Sequence, residues 1–344
     1  MNKTKIQWTD YSWPIVNGCR RKSSGCEACY AERLAATRLV HTDKYKGLAV
    51  MTAQGPRWTG QTRLWEPDLF GPLKLKTPSR IFVADMGDLF YEGVADADID
   101  RVFAVMGLAK WHTFQVLTKR AKRMYEYCKT LGRHHEIDRL SAAAKAMGRE
   151  DGFFYKLGAR GWCLPNVHLG VSVEDPDTAN ERLPWLLRTA AVARFVSYEP
   201  ALKGVDFRRF LCCPWCAEEE PKRDGMGRTY HMLDGVPMAC PLDSRGEAIH
   251  SIDQIIVGGE SGPRARPFNL AWARETITQC KAARVACFVK QLGARPYALE
   301  ANPPFEYGYG HKVVTGDVFP RDKKGGKLEE MPAELRVRET PTVR

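Results

Sequence analysis

The chain has 344 residues, enough for one large α/β barrel or two ordinary domains with a buried core, so its size calls for no disulfide stapling. Its 52 Lys and Arg against 41 Asp and Glu leave a net charge of +11, and 27% charged with 44% hydrophobic residues excludes a disordered or membrane composition. No run approaches eighteen apolar residues and the start at Met1 has no apolar core, so the expectation is a cytoplasmic protein with no membrane segment.

Short β-branched or apolar runs closed by polar residues recur along the chain. A first strand is expected around Trp13, Pro14, Ile15 and Val16, followed by strands at 81–85, 113–118, 167–172, 194–197, 254–259 and 286–290. Between them lie segments of helical period: Ile99, Val102, Phe103 and Met106 after the cap candidates Asp96 and Asp98, then 178–187 and 271–283. Strand then helix, repeated, predicts a β/α barrel or a doubly wound sheet of about seven strands. The strands end on Asn17, Asp85, Thr118, Ser172, Ser197, Gly259 and Lys290, which would line one mouth in a barrel. Polar residues also end strands for no functional reason, so the weight rests on the seven together.

Two segments interrupt this rhythm. Residues 133–162 form a basic, helical insertion, and 210–250 are rich in Cys, Pro, Gly and charge and read as an inserted small module. The expected organisation is a barrel domain built from 1–209 and 251–302, the module 210–250, and a polar C-terminal extension 303–344 to which no chemistry is assigned.

Eleven cysteines are many for a reducing compartment, and clustered ones point to metal. Cys19, Cys26 and Cys29 share one glycine-containing loop between the first expected strand and a helix. Three thiolates on one loop can hold three irons of a [4Fe–4S] cluster and leave the fourth iron without a protein ligand, where a substrate can coordinate. The alternatives are zinc with a distant fourth ligand, or plain reduced thiols.

At this point the chain resembles radical S-adenosylmethionine (SAM) enzymes, including photoproduct repair enzymes, and is more closely similar to a phage-associated family of unsettled function marked by a three-cysteine motif. The resemblance runs through residues 6–10, 25–32, 86–90, 115–120, 170–174, 197–200 and 257–262. It implies a partial (β/α) TIM-like barrel of six or seven parallel strands. It further implies a cluster on Cys19, Cys26 and Cys29 whose open iron binds the amino and carboxylate groups of SAM, and reductive cleavage to a 5′-deoxyadenosyl radical, which requires an electron donor. The spacing departs from the commonest radical SAM loop: the first gap here is six residues, and Tyr30 follows the last cysteine where an aromatic ordinarily precedes it. A zwitterionic cofactor needs carboxylates, hydroxyls and close backbone, and the strand ends offer Asp85, Asp88, Ser172, Glu174, Glu199, Gly258, Gly259, Glu260 and Ser261 as SAM contacts. For Glu174 and Glu199 a salt bridge is an equally ordinary role, and Gly258 and Gly259 also suit a turn without a ligand.

The second constellation is Cys212, Cys213 and Cys216, then His231 and Cys240. A module with so little apolar residue content gains folding energy from a tetrahedral metal, so a zinc ion on Cys213, Cys216, Cys240 and either His231 or Cys212 is expected ahead of an auxiliary cluster or no metal. Cys128, Cys163, Cys280 and Cys287 sit in apolar surroundings and read as inert thiols. Lys119, Arg120, Lys122 and Arg123 follow one strand end, and Arg264 and Arg266 follow the Gly258-Gly259 turn; both groups can clamp phosphates or simply face solvent. Arg20, Arg21 and Lys22 extend that rim, and Trp58, Trp65 and Trp162 are candidates for stacking bases or for the core.

The leading expectation is a radical SAM enzyme acting on a DNA base, such as a hypermodification of phage thymine, with a partner protein as a further option. Its rivals are a non-catalytic, metal-stabilised nucleic-acid-binding protein and a radical SAM enzyme for a small metabolite or peptide.

Overall fold

A computed structural model of the protein describes residues 1–131, 138–149, 163–211, 222–223, 229–233, 236–239, 252–262, 264–298 and 322–341. The chain forms two compact units: Met1–Glu174 with Thr189–Ser197, and Asp175–Arg188 with Tyr198–Thr342.

In the first unit, six strands lie in sequence order: β1 (Asn2–Lys3), β2 (Tyr11–Trp13), β3 (Arg80–Val83), β4 (Thr113–Thr118), β5 (Val167–Ser172) and β6 (Ala193–Tyr198). β1 is antiparallel to β2 and every later neighbour is parallel. Parallel neighbours need crossover connections. Here α1 (Tyr30–Ala36) follows the cysteine loop, α2 (Asp96–Leu108) joins β3 to β4, and α3 (Ala121–Leu131) and α4 (Asp138–Ala146) lie between β4 and β5. Asp96 and Asp98 lie inside the first turn of α2 and not at its cap, where Ala95 stands with extended backbone; their charges still favour the positive end of the helix.

The first expected strand stops early. β2 ends at Trp13 because Pro14 has no N–H for the ladder, and Ile15 N–H turns back to the Trp13 carbonyl at 2.7 Å. Val16–Asn17 then pairs separately with Arg63–Leu64. The register sorts the sheet into two faces. Trp13, Val83, Val116, Leu169 and Val171 share the apolar one. The opposite face carries Ser12, Phe82, Gln115 and His168 in one row, with Gly170 and Phe195 paired in the next and Ser172 beside Ser197 at the strand ends.

In the second unit, α5 (Pro176–Arg188) stands apart in sequence, and α6 (Leu270–Ala283) joins the parallel strands β7 (Gln254–Gly258) and β8 (Ala286–Gln291). The C-terminal segment 322–341 runs along β8, with Val289 N–H on the Val337 carbonyl at 2.8 Å and Glu339 N–H on the Cys287 carbonyl at 2.9 Å. It buries Met331 and Leu335 and covers hydrogen-bonding groups an edge strand would leave open. Lys222–Arg223, Thr229–Leu233 and Val236–Ala239 pair antiparallel. The expected α/β class with about seven parallel strands is therefore present: five in the first unit and two in the second. The described strands of neither unit close a barrel.

Candidate functional site

The site in the first unit starts from the cysteine loop. Gly18 has φ +88°, and a Cβ there would stand 2.2 Å from the Gln61 carbonyl oxygen, so only glycine fits. Its N–H donates to the Met86 carbonyl at 3.1 Å, and Gly18 bridges Gly87, which fixes the loop just beyond the C-terminal end of β3. A 3-10 turn over Ser24–Cys26 follows, and Cys29 is the residue before α1. Arg21 forks onto Glu32 of α1, Nε to Oε2 at 3.0 Å and Nη2 to Oε2 at 2.5 Å, and also donates to the Pro56 carbonyl. Glu32 is 1% exposed and accepts the Trp58 N–H as well. Arg21 thus fastens the loop to the first helix and leaves the cationic rim expected for it.

The strand ends meet the loop from the other side. Asp88 accepts hydrogen bonds from Phe90 N–H, Thr118 Oγ1, Lys119 N–H and Arg120 Nη1. Arg120, 5% exposed, spreads its guanidinium between Asp88 at 3.2 Å, the Arg20 carbonyl at 2.6 Å and the Cys19 sulfur at 3.6 Å, over the Tyr91 ring. Lys119 Nζ is bonded to Glu174, which is fully buried, and Gly25 of the loop sits against that carboxylate: a Cβ would stand 2.5 Å from Glu174 Oε1. Tyr30 Oη donates to the Asp85 carbonyl at 2.7 Å.

Electrostatics distinguishes the three thiols. Burial, with the Asp88 carboxylate adding, pushes Cys19 up to about 12 against the pull of Arg120. Burial also opposes ionisation of Cys26, but the Lys119 ammonium and the Lys22 and Ser23 hydrogen bonds outweigh it and hold this thiol below its usual value. Cys29 is raised by burial, then by Cys26 and Glu32. Cys19 and Cys29 each feel the charge of Cys26, so the three form one electrostatic group. A donor set of this kind fits an iron–sulfur cluster: three sulfurs on one loop, two cations to offset thiolate charge, and hydrogen bonds to sulfur. Among the described residues, no three His, Cys, Asp or Glu side chains are grouped as ligands of a single ion.

Asp85 follows β3, and its carbonyl meets the Tyr30 hydroxyl at the start of α1. Ala84 before it has φ +57°, a conformation costly for a residue with a Cβ, and burial pushes the Asp85 carboxyl up to about 6 against the Ser12 hydrogen bond. Asp85 Oδ1 has no hydrogen-bond partner among the described residues.

Of the other expected SAM contacts, Ser172 is buried at the end of β5 beside Ser197 in the first unit, and Glu199, Gly258, Gly259, Glu260 and Ser261 lie in the second unit. Glu199 takes Lys290 Nζ at 2.6 and 2.7 Å and Gln291 Nε2 at 3.2 Å. Gln291 also donates to the Gly259 carbonyl, and Gly258 accepts the Ala201 N–H. A Cβ on Gly259 would stand 2.6 Å from the Leu292 carbonyl oxygen, so packing alone requires this glycine. Glu260, 8% exposed, is held by Arg266 through its backbone N–H, Nε and Nη2. Ser261 is exposed beside this pair.

Four of the six cations expected to clamp phosphates are engaged by groups of the protein. Arg120 and Lys119 turn inward, Arg123 is taken by the Tyr91 and Val94 carbonyls and Asp96, and Arg266 by Glu260. Lys122 and Arg264 remain at the surface, Lys122 with Glu126 at 3.8 Å. Trp58 and Trp65 are half-buried, and Trp162 lies outside the described residues. So do Cys212, Cys213, Cys216 and Cys240 of the expected zinc site; His231 falls on the strand Thr229–Leu233.

A family model for proteins of unknown function, DUF5131, matches residues 3–330. The chain belongs to that family. No curated protein and no solved structure matches it. Like the cysteine loop, the row Ser12, Phe82, Gln115 and His168 falls within the residues the family match spans. Sequence reading passed over Gln115 and His168, whose signal was a polar residue inside an otherwise apolar strand.

Proposed function

We propose that the protein is a radical SAM enzyme that carries a [4Fe–4S] cluster on Cys19, Cys26 and Cys29 and acts on a nucleic-acid base, thymine in phage DNA being the concrete case. The observation that carries this reading is the meeting of three thiols from one loop with Arg120 and Lys119 from the end of β4. Ligands of parallel sheets bind beyond the C-terminal ends of the strands, which is where this loop stands. When bound, the cluster supplies the electron that cleaves SAM to methionine and a 5′-deoxyadenosyl radical.

The chain's own residues hold the loop and balance its charge. Arg120 orients the Cys19 sulfur while anchored by Asp88, and Lys119 favours the thiolate of Cys26. Arg21 with Glu32 fixes the entry to α1, and Asp85 is a carboxyl able to hold a proton near neutral pH. Ser172, Glu174, Glu199, Gly258, Gly259, Glu260 and Ser261 stay in the proposal as SAM contacts because a zwitterionic cofactor needs such groups at strand ends, and zinc on Cys213, Cys216, Cys240 and His231 stays on their spacing in a segment poor in apolar residues. The excess of positive charge, with Lys122 and Arg264 exposed, favours a polyanionic substrate.

The test is anaerobic reconstitution with iron and sulfide, followed by dithionite and SAM with and without DNA. We expect absorbance near ~400 nm from thiolate-to-iron charge transfer, its complete loss in Cys26→Ala, and 5′-deoxyadenosine formation that DNA increases. Iron-free protein after reconstitution would end the cluster reading. A full cluster that neither binds nor cleaves SAM would leave a metal-stabilised binding protein.

A further inference from the structure

Away from the thiols, the first unit carries buried polar groups that the fold does not pair. Gln115 of β4 stands in register between Phe82 of β3 and His168 of β5, on the face opposite the apolar core. Trp8 lies against this row, its ring 4.9 Å from Phe82 and 6.0 Å from Phe195. Gly170 lets the Phe195 ring lie across β5, since a Cβ there would stand 2.6 Å from three of its atoms. Gln115 gives its amide N–H to the Trp8 carbonyl at 3.3 Å. That leaves Gln115 Oε1 and Trp8 Nε1 buried without a hydrogen-bond partner among the described residues. His168 is 8% exposed, and burial alone holds its pKa down to about 4, so it is a neutral imidazole at pH 7 with one donor and one acceptor nitrogen.

Leaving buried polar groups unpaired costs the fold, and valine, leucine or phenylalanine at these positions would avoid the cost. Function explains their presence here better than stability does. The set is an indole N–H donor, an amide oxygen acceptor and an imidazole that supplies either, beside the rings of Trp8, Phe82 and Phe195. Aromatic walls with a few fixed donors and acceptors recognise a flat heterocycle that has its own hydrogen-bonding edge. We propose that Trp8, Gln115 and His168 form the pocket that reads the base of the substrate nucleotide. This deepens the nucleic-acid-base reading above and rests on it for the substrate class, but binding there requires no cluster.

The experiment is equilibrium dialysis of the full chain, iron-free and reconstituted, against the four deoxynucleoside monophosphates, with SAM as a separate probe. Gln115→Met, His168→Phe and Trp8→Phe replace each polar group with an apolar one, and each is also unfolded in urea. We expect wild type to bind at least one monophosphate and each variant to bind it about tenfold more weakly, the equivalent of about 1.4 kcal/mol. The urea midpoints should change little, because losing an unpaired buried group offsets the lost hydrogen bond to the Trp8 carbonyl in Gln115→Met and the lost ring volume in Trp8→Phe. Midpoints that fall while nucleotide binding is unchanged would assign these groups to the fold and overturn the proposal. Loss of SAM binding with monophosphate binding intact would give the face to the cofactor's adenine and overturn the substrate assignment, as would a wild type that binds no monophosphate. Monophosphate binding that the variants lose in a chain that forms no cluster would sustain this site and defeat the radical reading, so the two fail separately.

Discussion

The cysteine loop of the first unit and the Gly258-to-Glu260 turn of the second use the same materials, carboxylates and cations at the ends of parallel strands, and arrive at different results. In the second unit the charges pair with each other and with a neutral amide: Glu199 with Lys290 and Gln291, Glu260 with Arg266. In the first, Arg120 divides its donors among Asp88, a loop carbonyl and a sulfur, and Lys119 serves Glu174 while lowering the pKa of Cys26. Charge at a strand end therefore says little by itself. What sets the first unit apart is a third group, a thiol, that draws on the pair.

The largest effect should come from Arg120→Ala, which strips the buried Asp88 of its cation. A loss of about 3–5 kcal/mol in denaturant unfolding is expected, with iron incorporation reduced as Cys19 loses its orienting donor; full iron content with full stability would erase the distinction between the two regions. Next is Asp85. Burial raises its pKa from 3.8 to about 6, so between those values the folded chain keeps a proton that the unfolded chain has released. Its contribution is most favourable below pH 3.8 and is lost as pH rises through about 6, a total of about 3 kcal/mol. Asp85→Asn should accordingly gain most of that at pH 7 and gain little at pH 4, in urea titrations run against wild type at both values.

Glu260→Gln breaks a closed pair and should cost about 1.5 kcal/mol, as a hydrogen bond to a charged group does, while the cluster spectrum stays as in wild type. A lost spectrum would join the second turn to the first site. Smallest of all, Lys122→Ala with Arg264→Ala should shift stability by less than about 0.5 kcal/mol and lower the log–log salt slope of DNA binding by about one per phosphate contact removed. An unchanged slope would remove both residues from any nucleic-acid interface.

Much of the first unit was legible in the sequence, and the bounds of β4 and β5 agree with the runs read there, because Thr113–Thr118 and Val167–Ser172 carry β-branched and apolar residues and each closes on a polar one. The two-residue strands were not, since a period of two cannot show in two residues. The cysteine loop announced itself by spacing. Its partners did not: Arg120 and Cys19 are 101 residues apart, and an arginine bound for a buried guanidinium site reads the same as one facing solvent. His168, Gly170 and Ser172 alternate with Leu169 and Val171, a two-faced pattern hidden by reading the whole strand as buried.

The Arg120 bridge also dictates an order of events during synthesis. All three thiols exist once residue 29 has been made, but the cation that meets the first of them arrives 101 residues after Cys19, and Glu174, which packs on Gly25, a further 55 residues after Lys119. Until β4 and β5 are in place the loop lacks Arg120, Lys119 and Glu174, and closing contacts of such separation is the slow part of folding. A nascent chain would therefore present its three sulfurs with only the local Arg21, Lys22 and Ser23 beside them, well before Lys119 and Arg120 arrive.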